Sequence, residues 1–155
     1  MVLDGGVVDT ARSRPIAARP QAIWDVLADF GSLSSWAQGA DHSCLLAEGP
    51  DGGPLGTIRR VQMGRNALVE RITEFDPPAA LAYDIEGLPA RLGKLANRWT
   101  LRRIGNETEV TVTSRVDIGE GPVASVAERI VGAVMAKQSE SMLAGLARRL
   151  EDRDE

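Results

Sequence analysis

The sequence predicts an α+β domain: a curved antiparallel sheet of seven strands, two short helices near its start and one long C-terminal helix, together enclosing a cavity. Three observations predict it. From Ala40 to Asp117 apolar residues recur with period two between regularly spaced turn signals. Two short stretches of helical period precede that region. The chain then closes on a helical stripe of about 28 residues that no breaker interrupts.

Each element has a local reason. Val7 to Arg14 forms the first strand, closed by Pro15. Pro20 stands where a first helical residue tolerates it, and Ile23, Trp24, Leu27 and Phe30 follow at helical spacing until Gly31 caps the helix. Ser32 caps a second short turn carrying Leu33 and Trp36, which ends at Gly39. Six strands follow, punctuated by residues 49–54, Gly64-Arg65, Asp76-Pro77-Pro78, Gly87 to Gly93 and Gly105-Asn106, and strands joined so closely form an antiparallel meander. The glycine-rich segment Gly49-Pro50-Asp51-Gly52-Gly53-Pro54 is a wide hairpin connection and not a phosphate cradle. No Gly-Lys-Ser/Thr follows it, and both flanks are strands where a phosphate loop must open a helix. The final helix opens at Gly121-Pro122 and carries Val123, Ala127, Ile130, Val134, Met142, Leu146 and Leu150 on one stripe. At about 1.5 Å per residue it spans roughly 42 Å, enough to cross the whole sheet.

Composition bounds the function. At 155 residues the chain is expected to form a single domain over 1–155, with flexible ends at 1–6 and 151–155. Lysine and arginine number 18 against 22 acids, and no basic run is longer than a pair, so neither nucleic acid nor an anionic membrane is an expected partner. Aromatic residues make up only 4%, too few for a base-stacking platform. Cys44 is the only cysteine and has no internal partner, which fits a reducing compartment. The longest apolar stretch, Val123 to Ala136, is broken by Glu128 and Arg129, so membrane insertion is not expected. Met1 to Gly6 lacks the basic start and apolar run of a signal peptide, and the expected location is cytoplasmic. The sequon Asn106-Glu107-Thr108 carries no weight there.

Strand parity then shows which side chains face the core, and several are polar. Strand 57–63 sends Arg59 inward with Val61 and Met63, and strand 66–74 sends Glu70 inward between Leu68 and Ile72. Strand 81–86 buries Leu81, Tyr83 and Ile85. Strand 95–102 places Asn97 beside Trp99, and strand 110–116 places Ser114 among Val110, Val112 and Val116. In strand 41–46 the parity of His42, Cys44 and Leu46 puts the only histidine inside. A sealed core with these groups unpaired costs several kcal/mol for each charge, whereas a wet cavity between sheet and helix accommodates them. The helix stripe agrees, because it weakens at Gly132, Ala133, Lys137, Gln138 and Ser141, which cannot plug the space. The opposing arrangement is a closed Arg59–Glu70 ion pair on neighbouring strands, placed for register.

Taken in order, these segments resemble the START/Bet v 1-like (SRPBCC) superfamily with its helix-grip fold, and within it bacterial polyketide cyclase/dehydrase-like proteins. The resemblance runs from Ser13-Arg14-Pro15-Ile16 through Ile23-Trp24, Asp29-Phe30-Gly31 and Trp36. It continues with Gly56-Thr57-Ile58-Arg59, Glu70-Arg71-Ile72 leading to Asp76-Pro77-Pro78, and Asn97-Arg98-Trp99. It implies a cavity for a hydrophobic small molecule, with Arg59, Glu70, Tyr83, Asn97 and Trp99 carried over by motif and segment 87–93 as a rim or lid. Plant hormone receptors of the fold are the poorer match, since Gly64-Arg65 is too tight for their gate and neither Lys94 nor Lys137 matches their cavity lysine.

The expected ligand-binding residues are His42, Arg59, Met63, Glu70, Tyr83, Asn97, Trp99, Ser114 and Gln138. For catalysis the candidates are His42 as acid or base, Glu70 as its partner or an alternative base, and Arg59 as oxyanion stabiliser. No metal is expected, because His42 and Cys44 have no second histidine or cysteine to complete a site, and no cofactor is expected. A Gly-x-Ser-x-Gly nucleophile elbow is absent. Trp24 and Trp36 are expected to hold the short helices to the sheet, and Trp99 stands between ligand contact and core packing. Two functions follow: a binder of an apolar, partly oxygenated molecule such as a lipid, polyketide or isoprenoid, or a polyketide aromatase/cyclase or dehydratase. A protein-interaction module of the same fold is the third. The expected state is a monomer or homodimer.

Overall fold

The computed structural model describes residues 7–87, 94–117 and 124–151. Seven strands form one antiparallel sheet: β1 (Val7–Ile16), β2 (His42–Ala47), β3 (Ile58–Met63), β4 (Asn66–Asp76), β5 (Ala80–Glu86), β6 (Leu95–Ile104) and β7 (Glu107–Asp117). Their spatial order is β1-β7-β6-β5-β4-β3-β2, so the meander from β2 to β7 is continuous and β1 closes it by pairing with the last strand. The predicted fold class holds. Helix α1 spans Pro20–Ala28, a 3-10 helix spans Phe30–Ser35, and α2 spans Ala124–Glu151.

Differences from the sequence expectation have local causes. Strand β1 passes through Pro15 to Ile16 because it lies at the sheet edge, where a residue without an N–H breaks no ladder between two neighbours. Gly31 does not cap α1. It lies inside the 3-10 helix, where a Cβ would stand 2.9 Å from Leu45 Cγ, so its missing side chain lets β2 approach. Ser32 makes no capping bond and lies within the same helix.

Strand β2 has the opposite parity to that expected. His42, Cys44 and Leu46 are exposed, and Ser43 is the half-buried residue. Ser43 Oγ accepts from the Ser34 N–H at 2.9 Å and donates to the Gly31 carbonyl at 2.8 Å, tying the strand to the 3-10 helix. The register shifts between Leu45 and Ala47, which further weakens the link between apolarity and burial on this edge strand.

Helix α2 runs alongside β1 in the same direction. Gly132 lies against Val8 and Thr10, Glu140 bonds Arg12 at 3.0 Å, and Glu151 accepts from the Ala17 N–H at 3.2 Å. Residues 8–17 of a strand and 132–151 of a helix each cover about 30 Å, so the two elements keep pace. The C-terminal half of α2 buries Met142, Leu143, Leu146, Ala147 and Leu150 in one core with Ile23, Trp24 and Leu27 of α1 and the inner face of the sheet. Gly145 permits this contact, because a Cβ there would collide with the Trp36 carbonyl oxygen. Earlier on the helix the predicted stripe fails, since Ile130 and Val134 are 61% and 63% exposed. The helix follows β1 along the sheet edge, and in its N-terminal half the Ile130 and Val134 side chains are left uncovered. Trp24 packs edge-on to Phe75 and Trp36 edge-on to Trp99, at 5.1 and 5.9 Å between centroids, so both tryptophans hold the short helices to the sheet as expected.

Candidate functional site

A cavity of about 360 Å³ lies between the N-terminal half of α2 and the inner face of the sheet. Leu33, Ala37 and Ala40 close one side, and Leu68, Ile85, Leu95 and Val116 supply apolar sheet wall. Val131, Met135 and Met142 supply the helix wall, with Ile130 and Val134 at the exposed rim.

A row of polar side chains crosses this face. Arg59 of β3 is opposite Glu70 of β4, Tyr83 of β5 is opposite Asn97 of β6, and Asn97 is opposite Ser114 of β7, which is opposite Thr10 of β1. Glu70 and Tyr83 are diagonal neighbours, because Glu70 faces Ile85 and Tyr83 faces Ile72. The row is hydrogen-bonded within itself. Ser114 Oγ donates to Asn97 Oδ1 at 2.5 Å, and Asn97 Nδ2 donates to the Tyr83 hydroxyl oxygen at 3.2 Å. Trp99 Nε1 donates to the same oxygen at 3.2 Å. With both lone pairs of Tyr83 engaged, its remaining capacity is the O–H proton.

At the other end Arg59 and Glu70 are 3% and 4% exposed. Arg59 donates to Glu70 Oε1 from Nε at 2.7 Å, with Nη2 2.6 Å from the same oxygen in the ion pair, and donates to the Phe30 carbonyl from Nη1 at 2.9 Å. Its guanidinium stands 3.7 Å from the centre of the Phe30 ring and 4.7 Å from that of Tyr83. The arginine is thus fully held, and it forms no part of the cavity wall. Burial pushes the Glu70 carboxyl above its ordinary value of 4.5, against the opposing charge and hydrogen bonds of Arg59. Burial raises the Tyr83 phenol above 10, and the Glu70 charge adds to the shift.

Of the nine expected ligand residues, Met63, Glu70, Tyr83, Asn97, Ser114 and Gln138 line the cavity. Arg59 and Trp99 lie behind the wall, where each bonds a lining residue. The closed ion pair and the cavity, set against each other by the sequence, coexist. His42 is a correction: it lies on the outer side of β2, away from Glu70, because Ser43 occupies the inward position. The proposed rim 87–93 lies outside the described residues except for Gly87.

Sequence reasoning missed Ser139, whose Oγ is buried without a hydrogen-bond partner beside the cavity. Its signal was present, since Ser139 interrupts the buried stripe at helical spacing from Met142, Leu143 and Leu146. Thr10, at the end of the polar row, likewise has an unpartnered buried hydroxyl.

The family model described as polyketide cyclase / dehydrase and lipid transport matches residues 7–151. Similar solved structures include the Zhui aromatase/cyclase from Streptomyces sp. R1128, at 19% identity over 96% of each chain and a TM-score of 0.79. A START superfamily protein from Mycobacterium smegmatis is 18% identical over 96% of this chain and 99% of its own, with a TM-score of 0.70. A protein from Thermobifida fusca is 24% identical over 92% of each chain, with a TM-score of 0.74. At these identities the likeness concerns the fold alone. No curated protein matches the chain.

Proposed function

Because the chain belongs to the polyketide cyclase/dehydrase and lipid transport family, we propose that it binds a hydrophobic, partly oxygenated small molecule of lipid, polyketide or isoprenoid type in its internal cavity. The observation that carries this reading is an apolar cavity of about 360 Å³, large enough for a small organic molecule, with one polar row along its sheet wall. Mass spectrometry of the protein purified under native conditions tests it. The expected result is a stoichiometric organic molecule released on denaturation. Substituting Ala40 by Phe, which fills the cavity from the side, should abolish its retention while the far-ultraviolet spectrum stays unchanged. Retention of the molecule by Ala40→Phe would place binding elsewhere.

One observation favours a second reading, that of a cyclase or dehydratase. Glu70 presents a carboxyl to the cavity with its proton affinity raised by burial, a property of general acids. Of the three candidate catalytic residues it alone is on the wall, so turnover would fall to Glu70, with Arg59 positioning it. In that case Glu70→Gln abolishes conversion and keeps binding, and His42→Ala changes neither.

A further inference from the structure

We propose that the cavity selects guests bearing a hydroxyl and rejects carboxylates, with the guest's hydroxyl seated between Tyr83 and Glu70. The inference rests on the small-molecule reading above and names the chemistry of the guest.

Hydrogen-bonding capacity at the polar end of the cavity is only partly used. Asn97 and Trp99 both donate to the Tyr83 oxygen, so Tyr83 has only a proton to offer. The Arg59 hydrogen bond and the ion-pair contact to the Glu70 carboxylate both fall on Oε1, so Oε2 is the oxygen with acceptor capacity left. The two side chains are diagonal neighbours on β5 and β4, and both line the cavity. One free donor beside one free acceptor is the complement of a hydroxyl, which accepts and donates through the same atom. An ether or ketone accepts from Tyr83 and leaves Glu70 without a partner.

The charge at the cavity wall acts against anionic guests. The ion pair is oriented with its carboxylate at the cavity and its guanidinium behind, held by the Phe30 carbonyl and the rings of Phe30 and Tyr83. Among the described residues that line the cavity, none is cationic. A carboxylate guest would meet Glu70 at close range in a low-dielectric space with no cation to receive it; its own buried charge goes unpaired, and an ionised Glu70 adds repulsion between like charges.

Four rigid probes of nearly equal body test this by calorimetric titration of the full chain near neutral pH: naphthalene, naphthol, methoxynaphthalene and naphthoate. Naphthol is expected to bind at least about tenfold more tightly than each of the others, the worth of one hydrogen bond to a charged acceptor. In Glu70→Gln the gap between naphthol and naphthoate should narrow by about tenfold, because the repelling charge is gone while an acceptor remains. Tyr83→Phe offers an independent route, with naphthol losing its advantage over naphthalene. Equal binding of naphthol and methoxynaphthalene, or naphthoate binding as tightly as naphthol, overturns the inference and leaves the small-molecule reading standing. If none of the four binds, both fall together.

Discussion

The indole Nε1 of Trp99 donates to the hydroxyl oxygen of Tyr83 over 3.2 Å, from a diagonal position across the β5–β6 ladder. The bond fixes the phenol, yet burial and the Glu70 charge still raise its ionisation above the ordinary value of 10. Tyr83 is the chain's only tyrosine, so its titration can be followed without interference. The folded protein holds this proton at pH values where the unfolded chain has lost it. Stability therefore falls as pH rises through 10 towards the folded value. The tyrosinate absorption band should appear only above 10 and together with loss of tertiary structure. A midpoint at 10 in a folded sample would contradict the buried placement.

Arg59 and Glu70 should behave as a unit. Arg59→Met strands a buried carboxylate and is expected to cost about 3–5 kcal/mol near neutral pH, and Glu70→Met a comparable amount. The double variant should cost far less than the two together, because it removes both charges from the same apolar surroundings. Urea denaturation of the four proteins measures the coupling, and additive costs would mean that the pair is not closed in solution.

Glu70 also gives a pH signature. Its folded value lies above the ordinary 4.5, chiefly through burial, so the native state binds the proton more tightly than the unfolded chain does. The contribution of this group to stability is largest below 4.5 and is lost as pH rises through the folded value. Stability of the wild type relative to Glu70→Gln should decline over that interval, and a rise would show that Arg59 dominates burial.

Ser139 offers a change expected to stabilise. Its hydroxyl is buried beside the cavity without a partner, which costs about 1–3 kcal/mol. Ser139→Ala removes that cost and should raise the stability of the guest-free protein by about 1 kcal/mol in thermal or urea unfolding. A loss of similar size would reveal a partner for the hydroxyl.

Two glycines of α2 should respond in opposite directions. At Gly132 an added Cβ meets Val8 Cγ1 at 3.5 Å, an ordinary contact, so Gly132→Ala should gain up to about 1 kcal/mol of helix propensity. At Gly145 the same methyl collides with the Trp36 carbonyl oxygen, and the overpacking cost of about 1–3 kcal/mol exceeds the propensity gain. Comparing the two melting curves separates packing from propensity.

Much of this site was legible because central strands obey alternation. Arg59, Glu70, Tyr83, Asn97 and Ser114 fall inward on strands with neighbours on both sides, where a shift of one residue would bury the opposite set. At the edge that constraint disappears. On β2 the hydroxyl of Ser43 bonds the 3-10 helix while Leu46 lies in solvent, so apolarity misassigned His42. On α2 the stripe was visible, but how far each residue sits from the sheet was not. Ile130 and Met142 share the predicted stripe and differ wholly in burial, because Ile130 borders the open cavity whereas Met142 packs into the core. Nor could alternation distinguish a side chain on the cavity wall from one behind it. That distinction depends on rings such as Phe30 and Trp99 filling the second layer.

The exposed rim formed by Ile130 and Val134 would couple stability to the proposed guest. A guest reaching from the polar row to that rim covers both side chains, and whatever binds only the native state shifts the unfolding equilibrium by mass action. At a hundredfold excess over the dissociation constant the shift is about 2.7 kcal/mol. Under the proposed function the melting temperature rises with the concentration of the guest and so reports how far the cavity is occupied.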